Sequence, residues 1–132
     1  MIVSEFLSVR GTPPIKEKSS EPLHDAVLLM KTQEVSAVLV SDDGKSLDGI
    51  ITERDVVKCL CDEAGHSSDM NVEDIMTRKL ITCSPGDDVS DLLPLMHNNH
   101  IRHIPVLDRK GHIAGLIGLG ELVHDDWHRA AL

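Results

Sequence analysis

Thr52-Glu53-Arg54-Asp55 follows Gly49-Ile50-Ile51 directly, so a carboxylate stands three residues after a hydroxyl where an apolar strand gives way to a helix. Two readings fit that spacing. In the first, Thr52 caps the helix and Asp55 reaches back to an orphan backbone N–H, a capping box that needs no ligand. In the second, the same geometry binds. A helix N-terminus offers free N–H groups and a positive dipole end to a phosphate or other anion, and a carboxylate accepts hydrogen bonds from two adjacent ribose hydroxyls. Gly49 would let another backbone or a ligand come close. The second constellation is Arg102-His103, just before the short apolar run Ile104-Pro105-Val106. Arg102 brings a permanent cation with a forked donor set, and His103 a further donor. Solvated polar residues at a strand start explain either one alone.

Other reactive side chains carry less. His97, His100 and His103 fall three apart and His124 and His128 four apart. A helical i, i+4 histidine pair can bind a metal, but no third ligand or general base is placed as metal motifs require, so surface histidines and no metal site are expected. Cys59, Cys61 and Cys83 form no C-x-x-C pair, and an odd count without a leader fits reduced thiols. Arg109 and Lys110 belong to a turn. No nucleophile–base spacing and no Gly-rich phosphate loop appears, so no catalytic residue is assigned and no enzyme is expected.

The elements that must position these residues come in two copies. Residues 14–58 align without a gap on residues 80–124 at a constant offset of 66, with matches such as Ile15/Ile81, Asp25/Asp91, Met30/Met96, Val40/Val106, Gly49/Gly115 and Ile51/Ile117. In the first copy, residues 14–17 are extended. Leu23, Ala26, Val27 and Met30 make a helical stripe, Val38 to Val40 a strand, residues 42–45 a turn and Leu47 to Ile51 a second strand. A helix then starts at Thr52. The second copy predicts a strand over residues 80–83, a helix through Val89, Leu92, Leu93 and Met96, strands over 104–107 and 113–117, and a helix from Leu119. Pro94 should bend that first helix or mark a later start. Val72 to Met76 reads as a short helical lead-in, with Val3 to Leu7 as its N-terminal counterpart. The expected fold is thus α/β (α+β), two tandem β-α-β-β-α repeats. Repeat one with its lead-in covers residues 1–61, a linker residues 62–71, and repeat two with its C-terminal helix and tail residues 72–132.

Composition narrows the partners. A net charge of −9 argues against nucleic acid, whose phosphates need clustered Lys and Arg. Phe6 and Trp127 are the only aromatics, so a bound purine would have to sit between aliphatic side chains. No apolar run is long enough to cross a membrane and no leader is seen, so a cytoplasmic protein without a membrane partner is expected. The first helix of each repeat is apolar beyond one face, in repeat one with Leu28 and Leu29 beside its stripe, which suggests a second packing partner: first the other repeat, then another copy of the chain in a homodimer.

Val72-Glu73-Asp74-Ile75-Met76-Thr77 resembles the lead-in motif of the cystathionine-β-synthase (CBS) domain family. Residues 101–106 resemble its second-strand motif, and residues 49–55 its closing motif. The resemblance covers nearly the whole chain and implies a tandem pair related by a pseudo-twofold axis, a regulatory Bateman-type module. Such modules bind AMP, ADP or ATP, in some cases NAD(H) or S-adenosylmethionine, as a regulatory ligand with no required cofactor, and signal to an effector protein, often in energy sensing. In the family each cleft joins the closing motif of one repeat to the first two strands of the other. The resemblance therefore assigns the main site to Thr52, Arg54, Asp55, Ile81, Thr82, Ser84, Arg102, His103 and Pro105. Asp55 would hold the ribose, Thr52, Arg102 and His103 would face phosphate, and Ile50, Ile81 and Ile104 would wall the adenine. A weaker second site would use Ser36, Ala37, Gly118, Gly120 and Glu121, because Gly118 replaces the Thr and Glu121 the Asp. The alternative is a scaffold of the same fold with weak or lost ligand binding.

Overall fold

The computed structural model describes residues 1–11, 13–62 and 67–123. The chain divides into two compact units, Pro14–Leu80 and Met1–Pro13 with the chain from Ile81 onward.

The first of these contains β1 (Lys16–Glu17), α2 (Leu23–Thr32), β2 (Ala37–Val40), β3 (Gly49–Thr52), α3 (Glu53–Asp62) and α4 (Val72–Ile75). Its sheet has the order β1-β2-β3, with β1 parallel to β2 and β2 antiparallel to β3. Four consecutive residues of β2 are buried, as a central strand covered on both faces requires. On α2 the stripe Leu23, Ala26, Met30 is buried against Val38, Val40 and Ile51, while Leu28 stays 47% exposed. Thr52 is the last residue of β3 and α3 begins at Glu53, one residue later than the spacing predicts.

The other unit contains α1 (Val3–Arg10), α5 (Leu92–Asn99), β4 (His103–Leu107) and β5 (Ile113–Gly118), and residues 119–123 are helical. β4 and β5 pair antiparallel. The strand expected over residues 80–83 is reduced to one parallel bridge, Cys83 to Val106. In the first unit Leu39 N–H donates to the Ile15 carbonyl at 2.9 Å; the matching residue here is Pro105, which has no N–H to give Ile81, so the pairing does not extend back from Cys83. Pro94 causes no break, because α5 starts at Leu92 after a single 3₁₀ turn, Val89–Asp91. That puts Pro94 in the first helical turn, where its missing donor would have had no helical acceptor. His100 ends α5 in a left-handed conformation, φ 54°.

The compact units follow packing, whereas the boundaries 1–61 and 72–132 follow the repeat. The lead-ins change places. α4, which precedes repeat two, packs on repeat one: the Val72 N–H donates to the Glu21 carbonyl at 2.8 Å, and Val72 is buried with Leu23 and Ala26. α1, which precedes repeat one, packs on repeat two: the Val3 N–H donates to the Asp87 carbonyl at 2.8 Å, and Val3 and Phe6 are buried with Leu92, Met96 and Ile104. Each repeat thus has a gap in its apolar surface that a short helix from elsewhere in the chain fills.

Two glycines admit the lead-ins. A Cβ on Gly49 would lie 2.8 Å from Met76 Sδ and 3.0 Å from the Thr77 carbonyl oxygen; one on Gly115 would meet the Leu7 methyls at 2.8 and 2.9 Å. The obstacle at Gly49 includes backbone, and the one at Gly115 is side chain that can turn. Gly49→Ala is expected to cost about 1–2 kcal/mol and Gly115→Ala less than about 1 kcal/mol, read from urea midpoints. The reverse order would contradict the packing account.

Candidate functional site

The junction of β3 and α3 brings Thr52 and Asp55 together. The Thr52 backbone N–H donates to Asp55 Oδ2 at 2.9 Å, the Thr52 hydroxyl to the same oxygen at 3.1 Å, and the Asp55 N–H to Thr52 Oγ1 at 3.4 Å. This is the reciprocal capping box that the spacing suggests. A further donor was not legible in the motif: the Thr77 hydroxyl reaches Asp55 Oδ1 at 3.0 Å from 22 residues away. Thr77 is itself clamped to β3, its N–H and carbonyl paired with Ile50 at 2.9 and 3.0 Å. The close approach at Gly49 is made by this backbone. Asp55 and Thr52 are half-buried, and Arg54 is exposed on the same helix. Ser36 and Ala37 stand beside the junction in the same unit, the Ser36 carbonyl accepting from Glu53 N–H at 3.1 Å and Ala37 lying opposite Thr52.

The corresponding junction of the other unit is built differently. The Gly118 N–H donates to Glu121 Oε1 at 3.2 Å. Glu121 Oε2 is buried and has no hydrogen-bond partner among the described residues. Burial raises the Glu121 pKa, with the Gly118 N–H pulling the other way. Arg102 and His103 sit next to this junction: His103 lies opposite Gly118, and the Arg102 carbonyl accepts from Leu119 N–H at 2.8 Å. Arg102 is exposed and His103 half-buried, and Gly120 has open space where a Cβ would stand.

Of the remaining expected residues, Thr82 and Ser84 are exposed and Ile81 half-buried. Pro105 is fully buried, and its carbonyl accepts from Cys83 N–H at 3.0 Å, so it fixes the 81–84 segment through its backbone. Ile104, expected as an adenine wall, is 0% exposed and belongs to the core, because on β4 it faces Leu92 and Met96; Ile50 is only 6% exposed. Cys59 and Cys83 are buried and Cys61 is exposed; burial pushes the Cys83 thiol up to about 11. His97 and His100 are exposed, while His124 and His128 lie outside the described residues.

One cluster has no place in the motifs. Ligand atoms of Glu17, Glu21 and Asp25 all lie within 4.8 Å of one another. Burial first, then the charges of Asp25 and Glu21, push Glu17 up to about 7, and its Oε2 is buried without a partner among the described residues. Among the described residues no helix is long and apolar enough to cross a membrane.

Comparison with known proteins supplies the frame for both junctions. The model of the CBS domain matches residues 3–62 and again 72–126. A mitochondrial CBS domain-containing protein of Arabidopsis thaliana is 39% identical over 109 residues, 80% of this chain. The chain spans about half the length of that relative, 52%. The crystal structure of a CBS-domain containing protein from Agrobacterium tumefaciens superposes with a TM-score of 0.89 at 26% identity, covering 96% of this chain and 99% of that one. A CBS domain protein from Pyrobaculum aerophilum, complexed with AMP, superposes with a TM-score of 0.81 over 92% of this chain and 90% of that one; at 20% identity it shares the fold.

Proposed function

This chain belongs to the CBS domain family, and we propose that it is a non-catalytic regulatory module that binds an adenosine nucleotide and signals its presence to a separate effector protein. The observation that carries the proposal is the Asp55 carboxylate, half-buried where β3 meets α3 and held by donors on both oxygens. Among the described residues, the three hydrogen bonds from Thr52 and Thr77 leave one of about four acceptor positions open, and a turn of the Thr52 hydroxyl toward a phosphate frees a second. Two open positions, one on each oxygen, match the vicinal hydroxyls of a ribose. Arg102, a permanent cation, and His103, a further donor, are offered to phosphate, and the neighbour complexed with AMP supports an adenosine ligand.

The two closing motifs are unequal in the same proposal. Asp55 serves the principal site, while the Glu121 site is weak, empty or otherwise used. The rival reading, a scaffold that has lost its ligand, draws support from Glu121, whose buried Oε2 has no donor among the described residues. A homodimer is part of the proposal, supported by apolar side chains left exposed on α2 and α3: Leu28 at 47%, Val57 at 59% and Leu60 at 55%. A ligand moves such a module between conformations only by its difference in affinity for them, and the effector reads the result.

Calorimetric titration of AMP, ATP, NADH and S-adenosylmethionine into the pure protein tests the reading. Saturable binding of one of them is expected. Silence across the panel, with the protein folded and free of co-purified nucleotide, would favour the scaffold.

A further inference from the structure

We propose that Thr77 is a positioning residue for Asp55: its hydroxyl locks the carboxylate rotation that a ribose would need fixed. The terminal torsion of an aspartate is broad and soft. The capping bonds from Thr52 hold Oδ2 alone. The Thr77 hydroxyl holds Oδ1 at 3.0 Å, so both oxygens are placed. Thr77 can do this because both its backbone groups are bonded to Ile50, two residues before Thr52 on the same strand. Its carbonyl comes that close because residue 49 has no Cβ.

The other unit shows what happens without such a donor. Val3 meets Asp87 as Val72 meets Glu21, so the residue five beyond Val3, Ser8, is the counterpart of Thr77. But α1 runs on to Arg10, and the Ser8 hydroxyl donates to the Glu5 carbonyl of its own helix at 2.8 Å. Glu121 is held through Oε1, and its buried Oε2 is without a partner among the described residues. One carboxylate is locked at both oxygens and the other at one. The difference lies in where the lead-in helix stops.

The ligand arm of this inference rests on Asp55 as ribose acceptor; the contact itself does not. Calorimetry with AMP and with 2′,3′-dideoxy-AMP is run on the wild type, Thr77→Val and Thr77→Ser. Thr77→Val is expected to weaken AMP about tenfold, the ordinary worth of a hydrogen bond to a charged group. Thr77→Ser should stay within about twofold, and the dideoxy ligand should not register the change. Unchanged AMP affinity in Thr77→Val, or an equal loss for both ligands, would overturn the proposal. A ligand-free arm compares urea unfolding of Thr77→Val in the wild type and in Asp55→Ala. The midpoint should fall only where Asp55 is present; an equal fall in both backgrounds overturns the proposal as well. Wild type that bound no AMP would defeat the ribose reading, and the unfolding cycle would then decide the Thr77 contact alone.

Discussion

Glu17→Gln is expected to stabilise the protein at pH 8 and to leave it unchanged near pH 4. Glu17 sits on β1 with Oε2 buried and without a partner among the described residues, and Glu21 and Asp25 close by. Burial and those two charges raise its pKa from 4.5 to about 7 in the folded protein. Below pH 4.5 the folded and unfolded chains both carry the proton, and Glu17 has no effect on the pH dependence. Between 4.5 and 7 the folded protein keeps a proton that the unfolded chain has released, so stability falls as pH rises through that window. Above 7 the loss is complete. A shift of that size corresponds to about 3 kcal/mol, and screening at a partly exposed side chain reduces it to about 2 kcal/mol. Glutamine keeps the shape and carries no charge. Its amide places no negative charge beside Glu21 and Asp25. Unfolding midpoints from pH 4 to 8 should therefore diverge between wild type and variant, the variant winning at the upper end. Parallel curves would mean that Glu17 ionises unhindered.

The same cluster shows where the sequence was and was not legible. The repeat predicts most of the fold because it forces Ile51 and Ile117, Val40 and Val106, and Met30 and Met96 into equivalent core positions, and all of them are buried. It also holds a clue to Glu17, which falls at the position of Cys83, 66 residues on. A carboxylate that shares a buried thiol's place is a group under strain, but only the fold shows that Glu21 and Asp25 stand beside it. The Thr52–Asp55 capping box spans three residues of one helix start and is visible in the motif. The Thr77 contact spans 22 residues and depends on α4 packing onto the repeat before it. No local pattern announces that exchange, since a lead-in reads as part of whatever follows it. Burial of Ile104 is of the same kind: β4 is apolar from Ile104 to Leu107, so periodicity alone does not say which of these residues face a ligand and which face α5.

Asp55→Ala is expected to weaken AMP by about 100-fold or more, whereas Glu121→Ala changes the same affinity by about threefold at most. Two hydrogen bonds from ribose hydroxyls to a carboxylate are charge-assisted, each worth about 1.5–3 kcal/mol. Losing both removes most of the energy that separates a bound nucleoside from free adenine. Asp55 is suited to that role because its capping and Thr77 bonds fix the carboxylate before a ligand arrives, so little ordering is left to be done on binding. Glu121 meets neither condition. Among the described residues one oxygen alone is held, and burial raises its pKa, so it takes up a proton more readily than an ordinary glutamate and is then a poorer acceptor. It also replaces a threonine-based cap with Gly118, which supplies a backbone N–H and no hydroxyl to turn toward a phosphate. Calorimetry on the two variants separates these effects, with circular dichroism melts to show that each is folded. Losing the cap and the Thr77 contact together should cost about 2–4 kcal/mol of stability, so the affinities are compared only where the melts show the variant folded. Equal losses in the two variants, or two equal strong sites in the wild type, would mean that Glu121 serves ribose as well as Asp55 does, and the reasoning from held and unheld oxygens would be wrong.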